Sequence, residues 1–138
     1  MERNRNDWAD QISWYSLQIL LSDGFGILGQ RNILSLSLLV VGASGIGSTL
    51  LIFLSASGVG CIRMVNHDNV EVSNLHLQVI HTNGRREKSK ARSAHDNMWD
   101  LNPTVLVMAV TDTLTWDNTM EIVRVNDCVL DDRDNPHT

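Results

Sequence analysis

The chain has 138 residues, a formal net charge of −5, 43% hydrophobic residues and 20% charged residues. This length suits one domain with its own core, and the composition is that of a folded globular protein rather than a disordered one. The negative charge and the absence of a basic tract argue against nucleic acid as the main partner.

Cysteine and histidine spacing gives no indication of a metal site. Cys61 and Cys128 stand far apart in separate apolar runs, so we expect reduced thiols in the core, with a disulfide or a nucleophilic cysteine as the alternatives. The histidines lack the spacing of zinc ligands, and no CxxC pair occurs. We therefore expect no zinc site in this chain.

One apolar stretch raises the question of a membrane segment. No charged residue lies between Arg31 and Arg63, a span longer than the ~20 residues that a transmembrane helix needs. Glycines and serines interrupt the stretch, and its pattern changes from a continuous apolar run to a helical one at Gly42. We expect a cytoplasmic protein without membrane contact, and a single-pass membrane segment stays as the alternative.

The chain begins with a predicted helical arm over residues 1–35. Apolar side chains recur at helical spacing from Trp8 to Leu20, which predicts one amphipathic helix over residues 8–21 that ends at Ser22-Asp23-Gly24. A second, short helix is predicted over residues 25–34. The arm precedes the first buried strand.

Residues 36–66 have the pattern strand, glycine turn, helix, strand. The turn is Gly42-Ala43-Ser44-Gly45-Ile46-Gly47, and a helix start of this kind favours a bound phosphate. Ser44 takes the place of the middle glycine of the dinucleotide fingerprint, and its Cβ is expected to crowd a phosphate. Asn66 stands where an acidic residue would hold ribose hydroxyls. The alternative is a glycine turn kept only for packing of the helix on the strand.

The rest of the chain continues the alternation of helices and strands. This pattern predicts a Rossmann-like three-layer α/β/α fold over residues 36–138, with a mostly parallel sheet of about four strands. The predicted elements after the second strand are a polar connection over 68–83, a helix over 87–101, a strand over 104–110, a helix over 116–125 and a strand over 127–130.

Ordered motifs extend over about residues 14–135. They are Tyr15-Ser16-x-Gln18-Ile19-Leu20-Leu21, Phe25-Gly26-x-x-Gly29-Gln30, Val40-Val41-Gly42-Ala43-x-Gly45-Ile46-Gly47, Ser57-Gly58-Val59-Gly60, His67-Asp68-x-Val70-Glu71-x-Ser73-Asn74-Leu75-His76-x-Gln78-Val79-Ile80-His81-Thr82, Lys88-Ser89-Lys90-Ala91, Leu101-Asn102-Pro103-Thr104 and Val129-Leu130-Asp131-x-x-Asp134-Asn135. In this order they resemble the front half of the ThiF/MoeB/ubiquitin-activating enzyme family. In detail they are similar to molybdopterin-synthase or sulfur-carrier adenylyltransferases.

The resemblance implies a reaction and a set of site residues. Such enzymes bind Mg-ATP, adenylate the C-terminal carboxylate of a ubiquitin-like sulfur-carrier protein and work as dimers, so a homo- or hetero-dimer is expected here. Lys90 matches the phosphate lysine, and Asp134 matches the magnesium-associated aspartate, so these two are the expected catalytic residues. The expected nucleotide-binding residues are Gly42, Ser44, Gly45, Gly47, Asn66, Asp68, Asn74, Gln78 and Lys90.

The chain departs from the family pattern where cations are needed. Leu17 and Leu77 stand at the positions of two family arginines, and an arginine of this kind can be worth about 10³-fold in rate. The family's catalytic domain also continues beyond the motifs found here. We therefore expect a truncated domain in which Mg-ATP binding is weak or lost and adenylation is slow or absent.

Several alternatives stay open. One alternative is a non-catalytic module that docks on a full-length relative. Another is an enzyme that a second chain completes. Lys90 has the alternative of a solvated basic face with its neighbouring cations. Asp134 has the alternative of a turn with Asn135.

Overall fold

The computed structural model describes residues 8–21 and 24–133 of the chain. The predicted helix stop at Ser22-Asp23 and the site residue Asp134 lie outside these ranges. The elements are α1 (Trp8–Trp14), α2 (Ser16–Ile19), α3 (Gly26–Ser35), β1 (Ser37–Val41), α4 (Gly45–Ser57), β2 (Cys61–Val65), two 3-10 turns (Val72–Asn74 and Asn83–Arg85), α5 (Lys90–Leu101), β3 (Leu106–Val110), α6 (Trp116–Arg124) and β4 (Cys128–Asp131).

The four strands form one parallel sheet in the order β3-β2-β1-β4. Leu38 of β1 lies opposite Ile62 of β2 on one side and Cys128 of β4 on the other. This arrangement confirms the predicted Rossmann-like α/β fold with a mostly parallel sheet. The chain leaves β1 toward β2 and β3 and later returns to the other side of β1 with β4. The topological switch point, where such sheets bind ligands, therefore lies at the carboxyl ends of β1 and β4.

The two faces of the sheet carry cores of unequal size. On one face, apolar side chains of β1 and β2 pack with those of α4 and α5 in a large cluster that includes Leu38, Val40, Leu51, Ile62, Met64 and Met98. On the other face, Leu39, Val41 and Val65 are covered by partly buried residues that include Leu114, Ile122 and Val123. Because β1 is buried on both faces, a continuous apolar run is the pattern it needs.

The N-terminal arm contains a break that the apolar spacing did not predict. The single helix expected over residues 8–21 is wrong, since α1 ends at Trp14 and α2 begins at Ser16. Tyr15, between them, is buried, and its hydroxyl accepts a hydrogen bond from Asn102 Nδ2 at 2.8 Å and lies 3.1 Å from Thr104 Oγ1. These contacts hold the arm against the segment that follows α5.

The segment between β2 and α5 is more ordered than a polar connection. Val70 and Ile80 are buried, and the backbone N–H of Ile80 donates to Ser48 Oγ of α4 at 2.8 Å. The helix expected to begin at Glu87 begins at Lys90, because Glu87 has a left-handed φ of 66° and its N–H donates to the Val70 carbonyl. The segment is thus bonded to α4 at Ile80, and its two ends are bonded to each other at Val70 and Glu87.

The cysteines and the uncharged stretch have clear places in the fold. Both thiols are free, but Cys128 is exposed because β4 forms an edge of the described sheet, so its predicted core position is wrong.

The uncharged stretch between Arg31 and Arg63 forms the β1–α4–β2 unit. Across residues 8–21 and 24–133, no helix is long and apolar enough to cross a membrane.

Candidate functional site

A small open cavity lies at the switch point of the sheet. Its walls come from the ends of the strands and the segments that follow them, namely Val41-Gly42 at the end of β1, Val65 to Asp68 at the end of β2, Asp112 to Leu114 after β3, and Arg133 after β4. Apolar side chains of Val41, Val65 and Leu114 contribute to the walls beside polar ones. This is the position at which open α/β sheets bind nucleotides and similar ligands.

The turn after β1 requires glycine at its first position. Gly42 has a φ of +99°, which favours glycine, and a Cβ there would lie 2.9 Å from the Asp132 carbonyl oxygen. Its N–H donates to the Val65 carbonyl at 2.9 Å. The sharp turn brings the first N–H groups of α4 to the carboxyl end of β4.

Those N–H groups are bound by a carboxylate of the chain itself. Asp132 Oδ2 accepts from the backbone N–H of Ser44 at 3.1 Å and from that of Gly47 at 2.8 Å. The Ser44 hydroxyl donates to the same oxygen. Ser44, expected to crowd a phosphate, instead adds a third donor to an internal anion. The sequence analysis missed Asp132, although its position directly after β4 at the switch point was the available indication.

Lys90 and Asp68 form a pair at the start of α5. Lys90 Nζ lies 3.7 Å from Asp68 Oδ2, and the Lys90 N–H donates to the Asp68 carbonyl at 2.9 Å. The Lys90 side chain is only 8% exposed, so the alternative of a solvated basic face does not hold for it. Its ammonium group is thus directed toward a carboxylate that lines the cavity.

Asn66 lies in the cavity wall where β2 ends. Its Oδ1 accepts from the Asp68 N–H at 2.8 Å, which fixes the side chain over the turn. Asn66 therefore lies at the cavity with its side chain fixed, and its contact with a ribose stays a prediction.

The predicted residues Asn74 and Gln78 lie apart from the cavity lining. The Asn74 carbonyl accepts from the N–H groups of Leu77 and Gln78, and Gln78 is buried. Leu77 Cβ would be 3.9 Å from a Cβ placed on Gly45, and the Leu77 side chain is 61% exposed. A residue at position 77 is therefore well placed to reach the first turn of α4, and here it brings no charge.

Comparison with known proteins identifies the family. The ThiF family profile matches residues 15–138. The chain belongs to the ThiF family. It is 45% identical over 127 residues to the adenylyltransferase and sulfurtransferase MOCS3-2 of Zea mays, an alignment that covers 92% of this chain and 26% of that protein. It is 41% identical over 127 residues to the MOCS3 protein of Arabidopsis thaliana, with 92% and 27% covered.

Solved structures of low sequence identity share the fold. The E. coli tRNA N6-threonylcarbamoyladenosine dehydratase TcdA in complex with ATP has a TM-score of 0.80 at 24% identity, with 94% of this chain and 51% of that chain covered. PaaA has a TM-score of 0.82 at 22% identity, with 95% and 43% covered. This ThiF-family chain spans about a quarter of the length of the curated relatives it matches.

A buried histidine of this ThiF-family chain contacts α5. His81 Nδ1 lies 2.9 Å from Ser93 Oγ, and burial lowers the pKa of His81 to about 4. The Lys90 ammonium adds a smaller effect of the same sign. His81 is therefore neutral at pH 7, and the sequence analysis assigned it no role.

The second cation at the cavity is also paired. Arg133 donates from Nε to Asp131 Oδ1 at 2.8 Å and from Nη2 to Asp131 Oδ2 at 2.6 Å. This hydrogen bonding holds the pKa of Asp131 below its usual range. Lys90 and Arg133 thus each face a carboxylate of the chain.

These residues fit one part of a nucleotide and not the other. The apolar walls and Asn66 suit a base and a ribose, whereas the N–H groups that would bind phosphate are held by Asp132. No group of three or more His, Cys, Asp or Glu residues suited to a metal ion occurs within the described ranges. Asp134, the residue expected to associate with magnesium, lies outside them.

Proposed function

We propose that this chain is an adenine-nucleotide-binding domain of the adenylyltransferase type, with weakened phosphate binding and little or no adenylation activity of its own. The observation that carries the proposal is the cavity at the switch point, with Asn66 in its wall and the Lys90–Asp68 pair beside it. The names of the Zea mays and Arabidopsis relatives, which include adenylyltransferase activity, support the nucleotide class. The ATP complex of TcdA, a protein of the same fold, supports it as well.

The weakness of the activity follows from charge. Adenylation requires neutralisation of the triphosphate, and a hydrogen bond to a charged group contributes about 1.5–3 kcal/mol. Leu17 and Leu77 supply no charge, and Lys90 and Arg133 are paired with Asp68 and Asp131. The binding of a nucleotide should therefore be retained better than catalysis. If a substrate is activated, we propose the C-terminal carboxylate of a ubiquitin-like sulfur carrier, with Mg²⁺ bound through ATP.

Titration calorimetry with Mg-ATP tests the nucleotide site. Wild type is expected to bind in the micromolar to low-millimolar range. Lys90→Met, which keeps the apolar stem and removes the charge, should weaken binding by about tenfold or more, whereas the exposed Lys88→Met should not. Absence of wild-type binding at every reachable concentration would overturn the proposal. ATP–pyrophosphate exchange, measured in parallel with a sulfur carrier, should be undetectable.

A second candidate function is docking of a non-catalytic module on a relative or on a second copy. Exposed apolar side chains on the arm favour it, since Leu17 is 81% and Leu20 is 77% exposed. Light scattering of wild type and of Leu17→Lys/Leu20→Lys tests this candidate. A dimer in wild type that becomes a monomer in the double variant supports docking through the arm, and a monomer in both argues against self-association.

A further inference from the structure

The phosphate-binding groups of the proposed site are already occupied by a side chain of the same chain. We propose that Asp132 determines ligand specificity by selecting against phosphate, so that nucleosides bind unhindered and nucleoside phosphates bind only when the Asp132 carboxylate leaves the turn. This inference rests on the proposed function, because it concerns the phosphate end of the same nucleotide site.

Three donors converge on one oxygen of Asp132. They are the backbone N–H groups of Ser44 and Gly47 and the hydroxyl of Ser44. The two N–H groups belong to the start of α4, whose dipole favours a negative charge at this end. A carboxylate at this point replaces a phosphate both in charge and in hydrogen bonding.

The backbone of Asp132 is fixed, so the carboxylate is held in place before any ligand arrives. The Asp132 N–H donates to the Val41 carbonyl at 2.8 Å, which continues the pairing of β4 with β1. The Asp132 carbonyl lies 3.3 Å from the Ser44 hydroxyl oxygen. Little side-chain entropy remains to be lost, and this strengthens the internal contact relative to a mobile competitor.

A phosphate group cannot share these donors with the carboxylate. Each N–H donates well to one acceptor at a time. A phosphate close enough to accept from these N–H groups would also lie beside the Asp132 carboxylate, and the two negative charges would repel one another. Ser44 reinforces the internal anion, because its hydroxyl is a donor that a glycine at the same position would not provide. Ser44 and Asp132 therefore act together, although 88 positions separate them in the sequence.

The cavity proposed for the nucleoside lies beside this contact and does not include it. Asn66, His67 and Leu114 line the cavity, whereas Asp132 does not belong to its lining. Removal of the Asp132 carboxylate should therefore change the affinity for phosphates and leave the affinity for the nucleoside nearly unchanged.

Calorimetric titration with adenosine, AMP and Mg-ATP tests the inference. Asp132→Ala should bind AMP and Mg-ATP on the order of tenfold more tightly than wild type, since hydrogen bonds to an anion become available to the ligand. Its affinity for adenosine should stay within about twofold of wild type. Glu121→Gln, which removes one exposed negative charge on α6, controls for net charge and should change none of the three affinities.

Two further results distinguish failure of the inference from failure of the proposed function. Equal affinities of wild type and Asp132→Ala for AMP and Mg-ATP overturn the inference and leave the nucleotide site intact. No binding of any of the three ligands by either chain overturns the proposed function and the inference with it. If Asp132→Ala does not fold, Ser44→Gly replaces it, with an expected gain of about threefold for the phosphates only, and no gain overturns the inference.

Discussion

The two ends of the candidate site differ in what the chain offers to a ligand. Around Asn66, at the carboxyl ends of β2 and β3, the wall is open and combines apolar and polar groups. At Ser44 and Gly47, at the start of α4, the donors are bound by Asp132. Both ends are built on the same sheet edge. The backbone N–H donors of the turn are thus present, and the Asp132 side chain controls whether an external anion can bind to them.

Protonation of the buried His81 in acid should destabilise the fold on which both ends are built, and this is the largest effect we expect. Burial lowers the pKa of His81 to about 4, so the unfolded chain binds this proton more tightly than the folded one. The free energy of unfolding should therefore fall by about 3 kcal/mol as the pH drops from about 6.5 to about 4. Urea denaturation at several pH values measures this slope.

His81→Gln and the exposed His76→Gln form a matched pair for that measurement. His81→Gln should flatten the dependence of stability on pH between about 6.5 and about 4, and His76→Gln should leave it as in wild type. Equal slopes in the two variants would contradict a buried, neutral His81.

A methyl group at Gly47 should separate the Asp132 carboxylate from the turn. A Cβ there would meet Asp132 Oδ2, so Gly47→Ala should cost about 2 kcal/mol of stability. In a double-mutant cycle, Asp132→Ala should recover at least half of that loss. Gly60→Ala is the control, because its Cβ would meet the backbone carbonyl of Leu34, and Asp132→Ala should not rescue it. Additive losses at positions 47 and 132 would count against the contact.

A cation at position 77 should sharpen the difference between the two ends. Leu77→Arg places a guanidinium beside the first turn of α4, and an exposed charge of this kind contributes about 0.2–1 kcal/mol. We expect a gain of about twofold to fivefold in affinity for Mg-ATP and none for adenosine, with the gain reduced at high salt. Leu28→Arg on α3 is the matched control. A similar gain in both variants would point to net charge rather than position.

The smallest effect is expected at the nucleoside end. Asn66→Asp supplies a charged acceptor for ribose hydroxyls, and repulsion from Asp68 and Asp112 offsets part of the gain. Affinity should rise by about twofold to threefold for adenosine and for Mg-ATP alike, as measured by calorimetry. A change confined to Mg-ATP would mean that Asn66 serves the phosphate end instead.

The sequence predicts local structure here better than it predicts the site. The helix predicted between the glycine turn and the second strand is present as Gly45–Ser57, and Gly58 ends it with a left-handed φ of 86°. The parallel sheet follows from the apolar runs that form its buried strands. Such signals are local, so they can be seen without knowledge of the fold.

The contacts that distinguish this chain join residues that are distant in sequence. Asp132 meets Ser44 only after β4 has paired with β1, and Tyr15, at the break between α1 and α2, bonds through its hydroxyl with Asn102, 87 positions away. The spacing of apolar residues along the sequence does not indicate which distant residues will contact one another. The roles of Lys90 and Asp134 came from the resemblance, and they stay predictions.

The measurement that tests the central claim most directly is an NMR titration that follows the backbone amides of Ser44 and Gly47. If Asp132 and phosphate compete for these donors, Mg-ATP should shift both amide signals strongly in wild type, and in Asp132→Ala it should do so at about tenfold lower concentration. Adenosine should shift the signals around Asn66 and His67 and leave those two nearly unchanged. Shifts of Ser44 and Gly47 that require the same Mg-ATP concentration in wild type and in Asp132→Ala would contradict a phosphate end that is closed by the chain itself.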